Sequence, residues 1–174
     1  MKVFAALVSS FLLLTSCSSS TPSVITGEVV SCEGISKVVS GDPKLECLDG
    51  GEGVAVSAIR GPALINVWGT WCAPCRKELP YLAKYFEESG DAVQLIGVAV
   101  EEKNAESVAT FVEERGMTWP ILFDRENSTR ELFGMGVPVT WFINESGRVT
   151  HKHYCPFTSV KSIETAVSQY LGVK

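Results

Sequence analysis

The chain has 174 residues, 45% of them hydrophobic and 20% charged, with a formal net charge of -5. That length supports one domain with little room for a second, and the composition is that of a globular protein, not a disordered one. The acidic balance argues against nucleic-acid binding, which normally shows as a basic face. Six cysteines are the unusual count. They are too few for a cysteine-stapled miniprotein, and their even number invites three bridges. Their positions argue against that pairing.

The chain opens Met1-Lys2, followed by an apolar run from Val3 to Leu14. The run is shorter than the roughly 20 residues that span a bilayer and has the length of a signal-peptide core behind a minimal basic start. Leu14-Thr15-Ser16-Cys17 then resembles the lipobox of bacterial lipoproteins. The resemblance implies a signal peptide over residues 1–16, a diacylglycerol on Cys17, and attachment to the extracytoplasmic face of the cell membrane. Two or more acyl chains make such attachment stable. The alternative is an ordinary secretory signal cut nearby, with Cys17 incidental. Ser18-Ser19-Ser20-Thr21-Pro22-Ser23 has the composition of a flexible tether. The expected division is a lipidated tether over 17–26 and one domain over 27–174. Export also sets an oxidising compartment, where disulfides persist.

Residues 24–53 carry Gly27, Gly34, Gly41, Gly50, Gly51 and Gly53 between short apolar pieces, which predicts hairpins and loops. Ala63 to Trp68 is a buried-strand pattern bounded by Gly61-Pro62 and Gly69. A helix is expected from about Cys75 to Glu88, with Leu79, Leu82, Tyr85 and Phe86 on one face and a kink at Pro80. Ala92 to Val100 predicts a second apolar strand. Asn104 to Arg115 predicts an amphipathic helix closed by Gly116. A short strand over Trp119 to Phe123 and a short helix around Arg125 to Phe133 follow. Val139 to Ile143 and Arg148 to Tyr154 flank Asn144-Glu145-Ser146-Gly147 as a hairpin. Thr158 to Leu171 is a last amphipathic helix. Strands alternating with helices predict an α/β fold, a central mixed β-sheet with helices on both faces and an N-terminal β-hairpin extension.

The strongest motif is Cys72-Ala73-Pro74-Cys75, placed after a buried strand and at the start of a helix. The first helical turn presents unpaired N–H groups and a positive dipole end. Thiol pKa values in such motifs fall from about 8.5 to roughly 3.5–7.5. Cys72, just outside the helix, is expected to be the exposed nucleophile. Cys75, one turn in, would attack the mixed disulfide and release the substrate. A structural disulfide and half a zinc site are the alternatives. Zinc needs two more ligands, and the only histidines, His151 and His153, lie far along the chain on a predicted strand, where exposed polar residues are common.

Asn66-Val67-Trp68-Gly69-Thr70-Trp71-Cys72-Ala73-Pro74-Cys75-Arg76-Lys77-Glu78-Leu79-Pro80, with Gly136-Val137-Pro138-Val139-Thr140, resembles the thioredoxin superfamily. In detail it is similar to the membrane-anchored TlpA/ResA branch, related to the cytochrome c maturation thioredoxins. The resemblance covers roughly residues 44 to 172. It implies a thioredoxin-like fold and a cis peptide at Pro138. It also implies a substrate groove framed by Trp71, Pro74, Val137 and Pro138, with the Val137 backbone pairing with the substrate chain. Where the cytoplasmic thioredoxin pattern has a buried aspartate six positions before the first cysteine, this chain has Asn66, which accepts no proton. In the TlpA/ResA branch a glutamate matching Glu78 is thought to manage thiol protonation. The bland alternative is a solvated helix-surface acid.

Cys32 and Cys47, in the loop-rich segment before the core, are natural partners for a structural disulfide in an oxidising compartment. Cys155 remains as an odd thiol near the expected active-site edge, either inert or a third sulfur bordering the groove. The function expected is an extracytoplasmic thiol–disulfide oxidoreductase acting on protein substrates. The resemblance favours the reducing direction, with an apocytochrome c as one substrate and an integral-membrane thiol electron donor. No dissociable cofactor and no metal are required, because the electrons sit on two sulfurs. An oxidant of secreted proteins and a copper-binding module are the alternatives. A peroxidase fits less well, since that chemistry typically uses a cysteine without an adjacent partner.

Overall fold

The computed structural model describes residues 26–38, 44–134 and 136–173. Cys17, the expected signal peptide over 1–16 and all but the last residue of the tether lie outside the described residues. Seven strands are formed: β1 Lys44–Cys47, β2 Val54–Ala55, β3 Ala63–Trp68, β4 Gln94–Val100, β5 Ile121–Asp124, β6 Val139–Ile143 and β7 Val149–His153. The helices are α1 Ala73–Ser89, α2 Ala105–Glu114, α3 Arg130–Phe133 and α4 Val160–Leu171. The strands lie in the order β2-β1-β5-β4-β3-β6-β7. β3, β4 and β5 run parallel, and β6, β7, β1 and β2 are added antiparallel at the two sides.

β3 is central, and all six of its residues are buried. A strand covered on both faces favours apolar residues on both sides, which is why β3 reads as a near-continuous apolar run, interrupted by the buried Asn66, and not as an alternation. The connections β3-α1-β4 and β4-α2-β5 step across the sheet in the same direction. Right-handed crossovers then put both helices on one face, and α4 joins them there. Leu64, Trp68, Leu95, Ala99, Ile121 and Phe142 pack against this helical layer. Gly97 in β4 makes room within it: a Cβ would lie 2.5 Å from Ile121 Cδ1 and 2.9 Å from Trp68 Nε1.

The opposite face presents Ile65, Val67, Ile96, Val98, Leu122 and Trp141, packed with Phe133 of α3 and with Cys32, Ile35, Val56 and Ile59. The cover is therefore lopsided. Three long helices take one face, and a single helical turn with the N-terminal segment takes the other. The reason α3 is shorter than expected is Asp124. Its buried carboxylate accepts from the N–H and hydroxyl of both Ser128 and Thr129. Those bonds shape Arg125–Thr129 into a turn and delay the helix to Arg130. α1, in contrast, runs unbroken through Pro80.

The N-terminal hairpin of β1 and β2 joins the main sheet through β1 and β5. Cys32, in a 3-10 turn, and Cys47, ending β1, are joined with a Cα–Cα distance of 6.0 Å, and both are buried. Among the described residues no helix is long and apolar enough to cross a membrane. Replacing both Cys32 and Cys47 by alanine is expected to lower unfolding free energy by about 3 kcal/mol, as opening a loop of this length should. Urea denaturation of the double variant measures this, and an unchanged midpoint would contradict it.

Candidate functional site

The site begins where β3 ends. Gly69, Thr70 and Trp71 turn the chain from β3 into α1, and Cys72 caps the helix with extended backbone (φ -77°, ψ 105°). The Cys72 N–H donates to the Gly69 carbonyl at 3.0 Å, and the Cys75 N–H donates to Cys72 Sγ at 3.1 Å. The sulfur thus takes the place of the oxygen that usually caps a helix, in the positive end of the α1 dipole. Pro74 stands in the first turn, where a missing N–H costs nothing. Cys72 and Cys75 are joined as a disulfide, with Cα atoms 5.3 Å apart.

Cys72 is not exposed, contrary to expectation. In this oxidised form it is 3% accessible and Cys75 1%, while neighbouring Trp71 is 52% accessible. The Trp71 indole folds over Gly69, where a Cβ would come within 2.5 Å of its Nε1. Cys72 Sγ also lies 3.7 Å from the Val137 carbonyl oxygen, a contact without a proton, since a disulfide sulfur has none to donate. The Val137–Pro138 peptide bond is cis, and so is Gly61–Pro62, which nothing in the local sequence announces.

Glu78 is fully buried, so it is not a solvated surface acid. Its Oε1 accepts from Asn66 Nδ2 at 2.9 Å, and its Oε2 accepts from the Phe157 N–H at 3.0 Å. Burial pushes its carboxyl up to about 7, against the two hydrogen bonds, which favour the charged form. Asn66 Nδ2 also donates to Thr140 Oγ1 at 3.1 Å. Asn66, which accepts no proton, thus serves as a donor to the acid on the neighbouring helix.

The frame around Glu78 closes through β7. Thr140 pairs with His153 across β6 and β7, and the His153 ring stacks on Phe157 at 4.3 Å between centroids. His151 stacks on Tyr170 at 3.7 Å. Both histidines are half-buried against aromatic rings instead of standing free on the hairpin. Burial, with a smaller contribution from His151, holds the His153 imidazole below its ordinary pKa. Cys155 is a free, exposed thiol two residues before Phe157. Among the described residues one triad has metal-ligand spacing, Cys32, Cys47 and Asp49, but its two sulfurs are bonded to each other and offer no thiolate.

Two residues of the site carried no motif in the sequence. Glu102, just beyond β4, binds the N–H and hydroxyl of Thr70, and Arg76 Nη1 donates to the Thr70 carbonyl at 2.6 Å. Glu102 is 32 positions from Thr70, so only the β3–β4 pairing brings it there. Phe157 is the other, because it acts through a backbone N–H that any residue but proline supplies.

Comparison with known proteins places this arrangement. The AhpC/TSA family profile matches residues 41–152. The thiol-disulfide oxidoreductase ResA of Geobacillus thermodenitrificans is 36% identical over 87 residues, 49% of each chain. The chain thus spans about half the length of that relative. The thioredoxin-like protein YneN of Bacillus subtilis is 31% identical over 114 residues, covering 64% of this chain and 67% of its own. Among solved structures, StoA from Bacillus subtilis superposes with a TM-score of 0.60 at 23% identity, over 71% of this chain and 93% of that one. The fold is thioredoxin-like, and the chain belongs to the AhpC/TSA family.

Proposed function

We propose that the chain is an extracytoplasmic thiol–disulfide oxidoreductase that acts on protein substrates, in the reducing direction. The observation that carries this is the Cys72–Cys75 disulfide at the α1 N-terminus, between Trp71 and the cis Val137–Pro138 bond. The kinship to proteins named thiol-disulfide oxidoreductase supports the activity, and the resemblance to the TlpA/ResA branch favours the direction.

In the proposed cycle the reduced enzyme attacks through Cys72. Its thiolate forms a bond to one substrate sulfur, and the substrate disulfide breaks, releasing one substrate thiolate. Cys75 then attacks Cys72 Sγ, closes the intramolecular disulfide and releases the second substrate thiolate. Two electrons pass from enzyme to substrate, and the two protons left by Cys72 and Cys75 end on the substrate thiols. Trp71, Pro74, Val137 and Pro138 frame the groove. Glu78, one helical turn beyond Cys75 and with its carboxyl pushed up to about 7 by burial, is proposed to exchange a proton with the buried Cys75 thiol. An integral-membrane thiol donor would re-reduce the pair, an apocytochrome c is one candidate substrate, and Cys17 would carry the lipid anchor.

A Cys72→Ser variant is expected to lose exchange with a protein disulfide, and Cys75→Ser to accumulate a mixed disulfide visible on non-reducing gels. A Cys72–Cys75 reduction potential near about -270 mV agrees with a reductant, and one near about -120 mV would make the enzyme an oxidant instead.

Glu78→Gln tests the acid. Its loss removes a negative charge near the thiols, so the alkylation midpoint of Cys72 should move to lower pH; superimposable profiles would remove Glu78 from the mechanism. Stability gives an independent sign. The folded-state pKa of Glu78 is raised, so its contribution is fully present below the unfolded value of about 4.5 and is lost as pH rises through about 7. Wild type should therefore lose on the order of 3 kcal/mol between those limits relative to Glu78→Gln, read from urea midpoints across pH. For the anchor, fatty-acid labelling in cells should mark wild type and not Cys17→Ala.

A further inference from the structure

The turn that carries Trp71 and Cys72 is gripped from both sides. On one side the Glu102 carboxylate accepts from the Thr70 N–H, and from the Thr70 hydroxyl at 2.8 Å. On the other side the Arg76 guanidinium donates to the Thr70 carbonyl at 2.6 Å. A full negative and a full positive charge thus hold the two ends of one residue, two positions before Cys72. Hydrogen bonds to charged groups are about twice as strong as neutral ones, and all three residues are partly shielded from water.

The fold also invests in the placement of Glu102. Glu101, just before it, has φ 55°, a left-handed conformation that L side chains rarely adopt. Its N–H is held by Asn127 Oδ1 at 2.9 Å, and Asn127 itself has φ 52°. Asn127 sits in the turn shaped by the buried Asp124 carboxylate, and Arg130 pairs with Glu101 at 3.7 Å. The two non-glycine residues with positive φ among those described therefore meet each other next to the carboxylate that holds Thr70. Such backbone outliers persist where surrounding contacts over-determine them and gather at functional sites.

We propose that Glu102 is a positioning residue for thiol–disulfide exchange: opposed by Arg76 across Thr70, its carboxylate sets the Trp71–Cys72 turn so that Cys72 Sγ is presented at the α1 N-terminus. This rests on the exchange reaction proposed for Cys72 and Cys75. Glu102 touches neither sulfur; it acts through the Thr70 backbone.

Position and charge are separated by two variants. Glu102→Gln keeps an oxygen to accept from the Thr70 N–H and an amide group within reach of its hydroxyl, but removes the charge. Glu102→Ala removes both. Each pre-reduced variant is mixed with a fluorescent peptide disulfide, and the saturating rate and the half-saturating concentration are measured separately. The pH profile of Cys72 alkylation is taken in parallel. Glu102→Ala is expected to lower the saturating rate about tenfold, the scale of a small misplacement of a reacting group, with Glu102→Gln within about threefold of wild type. Both variants lose the same charge, so both alkylation midpoints should move together to lower pH. An alanine variant as fast as wild type overturns the proposal, and so does a glutamine variant as slow as alanine, which would leave charge alone as the cause. If Glu102→Ala does not fold, Glu102→Asp keeps the charge but withdraws the carboxylate by one carbon; a wild-type rate from it is equally fatal. A wild-type protein that fails to reduce the peptide would instead defeat the exchange reaction proposed for Cys72 and Cys75.

Discussion

A carboxyl group with no access to water is the constraint on which the rest of this structure turns. Glu78 lies on α1 one turn beyond Cys75, and its two oxygens are satisfied by Asn66 on β3 and by the backbone N–H of Phe157 after β7. A buried carboxylate without partners would cost several kcal/mol, so each donor must stay where it is. Three segments distant in the chain are thereby tied to one point. The same bonds that make burial tolerable hold α1 on the sheet and bring the chain after β7 beside the site. Because burial outweighs those bonds, the acid titrates about 7, where a proton can come and go.

Around that point the sheet divides the labour. One face carries α1, α2 and α4 over a core that includes both site cysteines. The other face is closed by α3 and by an N-terminal segment whose 3-10 turn is stapled to β1 through Cys32 and Cys47. The staple belongs to the face that lacks long helices. A short segment cannot bury enough apolar surface to offset its own ordering entropy, and a crosslink reduces that entropy cost. The Cys72–Cys75 pair belongs to the face where a helix N-terminus meets the end of the central strand.

Much of this was legible in the residues. Five apolar residues around a single asparagine from Ala63 to Trp68 read as a strand covered on both sides, and Leu79, Leu82 and Tyr85 recur at the helical period after it. Cys-x-x-Cys at the junction of the two marked the candidate site, and the five described cysteines stand as two bonded pairs and one free thiol. Other features were misjudged. Arg125–Phe133 looked helical throughout, because nothing local says that Asp124 will capture Ser128 and Thr129. His151 and His153 looked like exposed hairpin residues, because their aromatic partners Tyr170 and Phe157 come from beyond the hairpin. Cys72 looked exposed from its place outside the helix, but Val137, 65 positions away, lies against its sulfur.

The sequence by itself determined the position of the Cys72–Cys75 pair and the strand and helix that frame it. These follow from short-range rules: periodicity, capping and the spacing of two thiols across one turn. Only the tertiary structure decided what surrounds the pair. Whether Glu78 faces water or the core, whether Asn66 receives or donates, and whether Glu102 reaches Thr70 all depend on which strands pair and on which face the helices settle. Those choices are made by burying apolar surface over the whole chain, and a carboxylate, an amide or a backbone N–H acquires its role only from the neighbours that this burial brings to it.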